Sequence, residues 1–379
     1  MDFDLTAEQT ALRERAEVFC REHCTEADAA MRDRDRVYPE SLHRALAASG
    51  LLAACLPAAY GGGAGGPVEW CLVNEVLARH SAAAMLLLLA NGITAALITL
   101  GGSEAQKERY LPGVGDGRVR FAFALTEPGA GSDTAAISTR AVRLDDGYVV
   151  EGTKLYTTAA DTADFILTVV RTRPDGTAAQ GTSLLAVPRR MAGVRVTPLD
   201  KIAVNGVAAC RVQYDDVQLP LDACVGTEDG AWSLLTVASS LERLAVAAAS
   251  AGMAQAILDD VTTHGRAREQ FGRPLSQFQA IQHQLADMAS EVDAMRLLTY
   301  RAAWLTARGR VRPKEVSMAK LYASERLIDI AVRGMRLLGG RAYFTDSPMP
   351  RRLREALLTL YMGETAEIQR NVVAKGMGL

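Results

Sequence analysis

The chain has 379 residues, of which 49% are hydrophobic and 23% are charged, and its formal net charge at pH 7 is −2. This length suffices for two or three domains or one large multilayer unit, and the composition excludes a disordered chain. The near-neutral charge excludes nucleic acid as the main partner, because phosphate neutralisation needs clustered basic residues. One local basic run, RRLRE at 351–355, we interpret as a solvated helix face.

The N-terminal part of the chain predicts helices. Helical apolar spacing follows Thr6, which we take as the start of the first helix. The segment 81–102 carries no charge and is long enough to cross a membrane by length alone. Because no Lys/Arg cluster flanks it, we interpret it as a helix buried in a large α-rich core.

Cysteine usage and the first residues indicate the compartment. The six cysteines include no CxxC pair, and Cys20 and Cys24 offer too few ligands at matching spacing for a metal site. We therefore predict no metal. The opening MDFDLTAEQT is acidic and polar, unlike a signal peptide. Together with scattered reduced cysteines, this predicts a cytoplasmic protein.

The pattern changes to strands near residue 119 and back to helices near residue 228. The middle part has short runs rich in β-branched and aromatic residues, separated by turn signals; they include VRFAFAL, GYVVEG, DFILTVVRT, TSLLAVPR, VRVTPLD and CRVQYDDVQL. The last part has long helical runs with short loops, which is typical of an antiparallel bundle. The fold class is therefore α+β and multidomain, with predicted domains at 1–118, 119–227 and 228–379.

The segment FALTEPGAGSD (123–133) is the sharpest local signal for binding. Pro128, Gly129 and Gly131 would let backbone N–H groups converge on an anion or on the polar edge of a ring. Taken alone, the segment is equally well interpreted as an ordinary turn.

Four further segments follow it in order, namely EGTKLYTTAAD (151–161), RAREQFGRPLSQFQAIQ (266–282), RLLGGRAYF (336–344) and ETAEIQR (364–370). With FALTEPGAGSD they resemble the acyl-CoA dehydrogenase family over essentially the whole chain. The resemblance implies an N-terminal helical domain, a middle β-barrel or sandwich domain and a C-terminal four-helix bundle, with FAD between the last two. It also implies a homotetramer or homodimer, and electron-transfer flavoprotein as the usual oxidant.

The resemblance implies the cofactor contacts residue by residue. Arg268 would lie on the FAD pyrophosphate of the neighbouring subunit. Tyr156 stands where a Trp usually shields the flavin, and Arg336 replaces a usual Gln. The implied FAD-contacting residues are Phe123, Leu125, Thr126, Gly131, Ser132, Tyr156, Thr158, Arg268, Gln270, Phe271, Phe278, Gln279, Arg336, Gly339, Gly340, Thr365 and Glu367.

The last motif departs from the family at the catalytic base. Most members have Tyr-Glu-Gly-Thr-Ser-Glu, with the first Glu as the base, whereas this chain has MGETAE at 362–367. Gly363 therefore occupies the position of the base. An isovaleryl- and long-chain-type branch instead places its glutamate before an arginine on a bundle helix, and Glu242-Arg243 matches that pattern. We predict Glu242 as the base.

Two other interpretations of these glutamates stay open in the sequence. Ser239-x-x-Glu242 matches a capping box, in which Glu242 would only satisfy a helix end. Glu364 could be the base instead, or an ordinary acid at a helix N-terminus.

The chemistry requires a carboxylate within reach of the thioester Cα–H, on the side opposite the flavin N5. The backbone N–H of Gly363 would keep the contact with the thioester carbonyl that the family uses. Other implied substrate contacts are Ser132, to the pantetheine arm, and Arg243. By the family's layout Met85, Leu86 and Leu89 would approach the acyl tail, although core packing is an equal interpretation.

The predicted function is FAD-dependent dehydrogenation of an acyl thioester, carried on CoA or on an acyl carrier protein, to an enoyl thioester. Three alternatives remain: a flavin oxidase or monooxygenase on the same scaffold, desaturation beyond the α,β position, and a non-catalytic flavin-binding protein. Rapid reoxidation of the reduced flavin by air would favour the oxidase. Failure of every acyl thioester to bleach the flavin would favour the binding protein.

Overall fold

The computed structural model describes residues 4–175, 177, 180–309 and 312–379. Its helices are α1 (Ala7–His23), α2 (Glu26–Asp35), α3 (Glu40–Ala48), α4 (Pro67–His80), α5 (Ala82–Gly101), α6 (Glu104–Gly115), α7 (Ala231–Ala267), α8 (Gln279–Ala307), α9 (Pro313–Leu338), α10 (Met349–Tyr361) and α11 (Ala366–Gly376). Its strands are β1 (Phe121–Ala124), β2 (Arg140–Arg143), β3 (Gly147–Thr158), β4 (Phe165–Arg171), β5 (Thr182–Pro188), β6 (Val194–Leu199), β7 (Ala209–Pro220), β8 (Glu269–Gln270) and β9 (Arg273–Pro274). The predicted fold class, helices followed by a sheet and then helices, is confirmed.

The chain divides into two compact units. The helical unit contains Met1–Arg34, Gly66–Met85 and Glu242–Leu379, and the sheet unit contains Asp35–Gly65 and Leu86–Leu241. This division does not test the predicted domain boundaries, which stay predictions.

In the helical unit, α9 is the central helix. It packs against α8, α10 and α11, while α4 packs against both α1 and α8. The side of α9 that faces these neighbours carries small and apolar residues, including Ala319, Ala323 and Leu327, each fully buried. Their spacing of four residues is one face of a helix, which is why this run of sequence folds as a bundle element.

The sheet unit contains one mixed seven-stranded sheet in the order β1-β4-β2-β3-β7-β6, with β5 paired to β4. The β1–β4 pair is parallel and the long β3–β7 pair is antiparallel. Apolar side chains on one face form the core, among them Val150, Ile166 and Val212, which are fully buried. The sequence analysis missed β2, a strand of four residues.

The apolar segment 81–102 folds as the continuous helix α5, as predicted. Its polar Asn91 does not interrupt the helix, because the side-chain amide donates to the Leu87 carbonyl and the side-chain oxygen accepts from the Phe121 N–H. Helices α5 and α7 are both long and apolar enough to cross a membrane, but 67% of each apolar stretch is buried inside the protein. Burial of this kind is expected of core helices.

The interpretation of RRLRE as a solvated helix face is wrong. These residues lie in α10, and the Arg351 side chain is only 7% exposed. Its guanidinium donates to both carboxylate oxygens of Glu355 at 2.9 Å and also pairs with Glu26. An arginine of a charge run can therefore be buried when carboxylates neutralise it, here one from the run itself and one from α2.

Candidate active site

Helix α7 places Glu242 well inside a continuous helix. The helix begins at Ala231, so Ser239 lies in its interior and cannot be an N-cap. The capping-box interpretation of Glu242 is therefore wrong. Beyond Glu242 the helix runs through Leu244 and a stretch of buried alanines, which fixes this part of α7 in the core of the helical unit.

The turn between α10 and α11 carries the other residues of the predicted base motif. Gly363 and Glu364 both have left-handed backbone, with φ of 65° and 71°. Thr365 then caps α11 by accepting from the Ile368 N–H. Two residues with positive φ turn the chain sharply, and a helix N-cap after them ends the turn.

Two buried side chains hold the carbonyls of this turn. The side-chain amide of Gln369 donates to the Gly363 carbonyl at 2.9 Å. The Lys320 ammonium on α9 donates to the Glu364 carbonyl at 2.7 Å and to the Leu360 carbonyl at 3.1 Å. The turn is thus fixed from α9 and from α11, which makes its backbone a rigid platform.

The turn packs directly on α7 beside Glu242. A Cβ atom added to Gly363 would lie 3.6 Å from Cα and Cγ of Arg243. The structure therefore brings Glu242, Arg243, Gly363 and Glu364 together. A side chain at position 363 would point at the part of α7 that carries Glu242. Positions 242 and 363 therefore border the same small region.

The environment of Glu242 favours its protonated form. Burial raises the pKa of the Glu242 carboxyl, and the negative charge of Glu364 raises it further. A hydrogen bond from the Gly363 backbone and the charges of Arg243 and Lys320 oppose this rise only in part. Within the part of the chain that the structure describes, Glu242 forms no ion pair.

Arg243 is instead paired with Glu364. The guanidinium donates a short hydrogen bond to the Glu364 carboxylate, and the Arg243 side chain is only 9% exposed. Among the described residues its buried Nε has no hydrogen-bond partner. Glu364 therefore has an ion-pair partner on its carboxylate, whereas Glu242 has a backbone hydrogen bond from Gly363 and no ion pair among the described residues.

The segment FALTEPGAGSD forms a tight loop after β1. Glu127 and Ala130 exchange two backbone hydrogen bonds, which fold the loop back on itself. Gly129 and Gly131 are exposed, and a Cβ atom at either position would meet no other atom within 4 Å. This open concave backbone fits the close approach of a cofactor.

A buried ion pair that the sequence analysis missed fixes this loop. The Glu127 carboxylate accepts from the Lys154 ammonium at 2.7 Å, from both N–H and Oγ of Ser138, and from the Thr139 N–H. Lys154 also donates to the Leu125 carbonyl at 2.9 Å, and both side chains of the pair are at most 2% exposed. Two sequence features could have indicated this pair: a lysine in the middle of an apolar strand, and a glutamate within a loop rich in Gly and Pro.

The electrostatics of this pair keep both residues charged at neutral pH. Burial alone would raise the pKa of Glu127, but Lys154 and the hydrogen-bond donors outweigh it and hold the pKa at about 2. Burial lowers the pKa of Lys154 to about 8, with Glu127 opposing the change. The pair therefore fixes a structure and does not exchange protons.

The sheet unit holds the first group of predicted cofactor residues. Phe123, Leu125 and Thr126 are partly exposed beside the loop, and Gly131 and Ser132 are fully exposed. At the other side of this loop, the Leu155 N–H donates to the Thr126 carbonyl at 2.8 Å.

A break in the register of β3 turns Tyr156 outward. The pairing with β7 shifts between Lys154 and Thr157, and Tyr156 adopts a φ of 60° with 64% of its surface exposed. Positive φ is costly for an aromatic residue, so this outward orientation is set by the surrounding strand pairs. Thr158 follows it at the end of the strand and is partly buried. An exposed aromatic ring at this place suits a flat ligand.

The helical unit holds the second group. Arg268 and Gln270 lie at the β8–β9 hairpin, where Phe271 has a φ of 53° and is 92% exposed. The Phe271 and Phe278 rings lie 6.3 Å apart, and Gln279 begins α8. Positive charge collects near this hairpin: burial first, and then the guanidiniums of Arg341 and Arg268, lower the pKa of His264.

Several of the remaining predicted residues are exposed, and three are buried. Arg336 and Gly339 are exposed at the end of α9, and a Cβ atom at Gly339 or Gly340 would meet nothing within 4 Å. Glu367 is exposed in the first turn of α11, after Thr365. By contrast the three residues predicted near the acyl tail are buried, namely Met85 (0% exposed), Leu86 (4%) and Leu89 (6%).

The residues present fit FAD in three respects. They offer open glycine backbone, arginines whose charges converge, and exposed aromatic rings, which suit a diphosphate and a flat heterocycle. Among the described residues no group of three or more His, Cys, Asp or Glu could hold a metal ion. The acyl-tail contacts of Met85, Leu86 and Leu89 stay a prediction.

Comparison with known proteins identifies the family. Three family models match in chain order: the acyl-CoA dehydrogenase N-terminal domain at residues 6–118, the middle domain at 122–217 and the C-terminal domain at 230–378. The probable acyl-CoA dehydrogenase YngJ of Bacillus subtilis is 33% identical over 378 residues, which cover 99% of each chain. The caffeyl-CoA reductase-Etf complex subunit CarC of Acetobacterium woodii is 33% identical over 341 residues, which cover 89% of each chain.

Solved structures of similar fold agree with these family matches. Butyryl-CoA dehydrogenase from Megasphaera elsdenii matches with a TM-score of 0.96 and 28% identity over all of both chains. The FAD complex of PigA matches with a TM-score of 0.95 and 26% identity, also over all of both chains. On these matches, and on the motifs that the structure brings together, this chain belongs to the acyl-CoA dehydrogenase family.

Proposed function

We propose that this protein oxidises an acyl thioester to an enoyl thioester with FAD as its cofactor and Glu242 as the catalytic base. The observation that carries the base assignment is the state of the two glutamates. Beside the Gly363 backbone, Glu242 is a carboxylate that forms no ion pair with any residue the structure describes, whereas Glu364 is engaged by Arg243. A base has to be free to take a proton, and a carboxylate held by a buried guanidinium is a poor candidate.

The chain's own groups account for proton removal. Glu242 takes the proton from the thioester Cα, and its raised pKa makes it a stronger base than an ordinary glutamate. In the structure the Gly363 backbone hydrogen-bonds the Glu242 carboxyl. When a thioester binds, we expect this N–H to donate to the thioester carbonyl instead and to stabilise the negative charge that develops there. When bound, FAD supplies the acceptor for the hydride that leaves Cβ.

Each group of predicted residues is expected to contact an FAD molecule, the second group that of the neighbouring subunit. Thr126, Gly131 and Ser132 lie on the loop fixed by Glu127, and Tyr156 offers its ring beside them. Arg268 would neutralise the pyrophosphate, which charge-assisted hydrogen bonds stabilise strongly. The family resemblance implies a neighbouring subunit's cofactor at this hairpin, and the 92% exposed Phe271 ring offers an apolar surface for that contact. A homotetramer or homodimer would cover it.

The electron acceptor and the carrier of the acyl group are proposed from the relatives. CarC belongs by its name to an Etf complex, which supports electron-transfer flavoprotein as the acceptor here. YngJ and the butyryl-CoA enzyme act by their names on CoA thioesters, which supports CoA; an acyl carrier protein remains the second possibility. We expect the protein to work in the cytoplasm.

The test is an anaerobic titration of the purified protein with a panel of acyl-CoA and acyl-carrier-protein thioesters. Bleaching of the flavin absorbance by one of them is the expected result. Rapid recolouring of the reduced flavin in air would instead indicate an oxidase. Absence of bleaching with every thioester in the panel would indicate a flavin-binding protein without this activity.

A further inference from the structure

Glu364 takes an unfavourable backbone conformation to reach Arg243. Its φ of 71° lies in the left-handed region, which residues other than glycine rarely adopt. The preceding Gly363 also has positive φ, so a second glycine would be the unstrained choice here. The strained glutamate forms a buried ion pair with Arg243 and is held by Lys320 through its carbonyl. Strain that persists at a site of chemistry points to a role for the side chain.

We propose that Glu364 is a positioning residue: its carboxylate holds the Arg243 guanidinium and thereby leaves the neighbouring Glu242 carboxylate unpaired and able to take a proton. The proposal rests on Glu242 as the base of the proposed function. It gives Glu364 a role in the reaction without making it the base or a helix-end acid.

The geometry explains why Arg243 has to be held. Arg243 follows Glu242 directly on α7, and its charge already acts on the Glu242 carboxyl. Its only ion pair with a described residue is the one to Glu364. Its buried Nε–H has no hydrogen-bond acceptor among the described residues. A buried guanidinium without a carboxylate is costly, so loss of Glu364 would turn Arg243 toward Glu242. Pairing with Arg243 would then make Glu242 a weaker base.

The other charged groups around Glu242 cannot take over this role. The Lys320 ammonium from α9 has the same charge as the Arg243 guanidinium and cannot pair with it. It donates instead to the carbonyls of Leu360 and Glu364. Glu367 on α11 is exposed and acts on Lys320. Among the described residues, the charged groups that α7, α9, the turn and α11 place around this site are Arg243, Lys320, Glu364 and Glu367, and of these only Glu364 engages Arg243.

The test uses the flavin-loaded protein labelled with carbon-13 at the glutamate carboxyl carbons, in the parent and in two variants. Glu364→Gln removes the charge and keeps the strained backbone, whereas Glu364→Gly removes the charge and relieves the strain. The resonance of Glu242 is assigned by its loss in Glu242→Gln. We expect the midpoint of the Glu242 titration to fall in both Glu364 variants, because the negative neighbour is lost and Arg243 is freed.

Catalysis provides the second readout. Flavin reduction by a thioester should slow on the order of tenfold in both variants, and the acid limb of its pH profile should move to lower pH. Both variants lose the ion pair, but Glu364→Gly relieves the backbone strain that Glu364→Gln keeps, so it should have the higher Tm of the two. Equal slowing of the reaction in two variants of different stability is not explained by poor folding. The matched control is Glu325→Gln, which removes the carboxylate of an ion pair between α9 and Arg370 of α11.

The outcomes separate this proposal from the proposed function. If Glu242→Gln abolishes flavin reduction while both Glu364 variants keep the parent Glu242 midpoint and rate, only the role of Glu364 is rejected. If Glu242→Gln reduces flavin at the parent rate, the base assignment fails and the proposal fails with it. If no thioester bleaches the flavin, the Glu242 midpoint still decides whether Glu364 acts on Glu242.

Discussion

Two glutamates of this protein, one buried and one partly buried, have opposite environments. Glu127 in the sheet unit accepts four hydrogen bonds, one of them from the Lys154 ammonium, and its pKa is held at about 2. Glu242 in the helical unit has no ion pair among the described residues, and burial raises its pKa. The first is an anion that fixes a loop, and the second is the proposed base. The number of donors around a carboxylate thus decides whether it serves structure or chemistry.

The largest effect should come from breaking the structural pair. Lys154→Met leaves the Glu127 carboxylate buried without its cation, and we expect the free energy of unfolding to fall by about 3–5 kcal/mol. Urea denaturation of the flavin-free protein measures it. Arg140→Ala is the control, because it removes an exposed ion pair with Glu151 and should cost less than about 1 kcal/mol. Equal losses in the two variants would contradict the structural role of the pair.

The pH dependence of this pair has a definite sign. The pKa of Glu127 is lowered on folding, from an ordinary 4.5 to about 2. Its contribution to stability is therefore present above the unfolded pKa and is lost as pH falls toward the folded one. As the pH falls from 4.5 to about 2, the difference in free energy of unfolding between the parent and Lys154→Met should become smaller. A difference that is constant between neutral pH and pH 2 would refute the assignment.

The next largest effect tests Glu242 as the proposed base. Glu242→Gln keeps the size and hydrogen bonds of the side chain and removes its basicity. We expect it to bind FAD and thioester but to reduce flavin at least ~100-fold more slowly, as is usual for loss of a positioned base. Anaerobic stopped-flow absorbance measures the rate. An active Glu242→Gln with an inactive Glu364→Gln would move the base into the turn after α10.

A smaller effect concerns the cofactor. Arg268→Ala removes a charge-assisted contact to the FAD pyrophosphate, and we expect a loss of about 1.5–3 kcal/mol in FAD binding. Equilibrium dialysis measures the affinity, and size-exclusion chromatography shows whether the oligomer loosens as well. Arg195→Ala serves as control, since this arginine forms an exposed ion pair with Asp215 in the sheet unit. Unchanged FAD affinity in Arg268→Ala would reject its assignment.

The smallest expected effect is a partial rescue. Glu242→Gly combined with Gly363→Glu restores the commoner position of the base. A Cβ atom at position 363 would point at α7 without a clash, but the φ of 65° strains any side chain there. We therefore expect flavin reduction about tenfold faster than in Glu242→Gly alone, still well below the parent, because a base regains only part of its effect when misplaced. No gain over Glu242→Gly would mean that the two positions face different atoms.

The sequence determined the succession of helices, sheet and helices, because long apolar periodicities and short β-branched runs are local signals. It also identified the family, since five motifs of that family occur in the chain in the expected order. Tyr156, Arg268 and Glu242 could be named as candidates from such motifs alone. The contacts that those motifs imply with FAD and thioester remain predictions.

Only the tertiary structure decided how the charged residues are partnered. Glu127 and Lys154 are 27 residues apart, and Arg243 and Glu364 are 121 apart, so no local pattern reveals either pair. The same holds for the pair of Arg351 with Glu26, 325 residues away, which helps to bury the arginine of RRLRE; its pair with Glu355, four residues on, is local. Whether a glutamate is a base or an anchor depends on the burial and the donors around it. Those are set by folding and cannot be deduced from the spacing of residues along the chain.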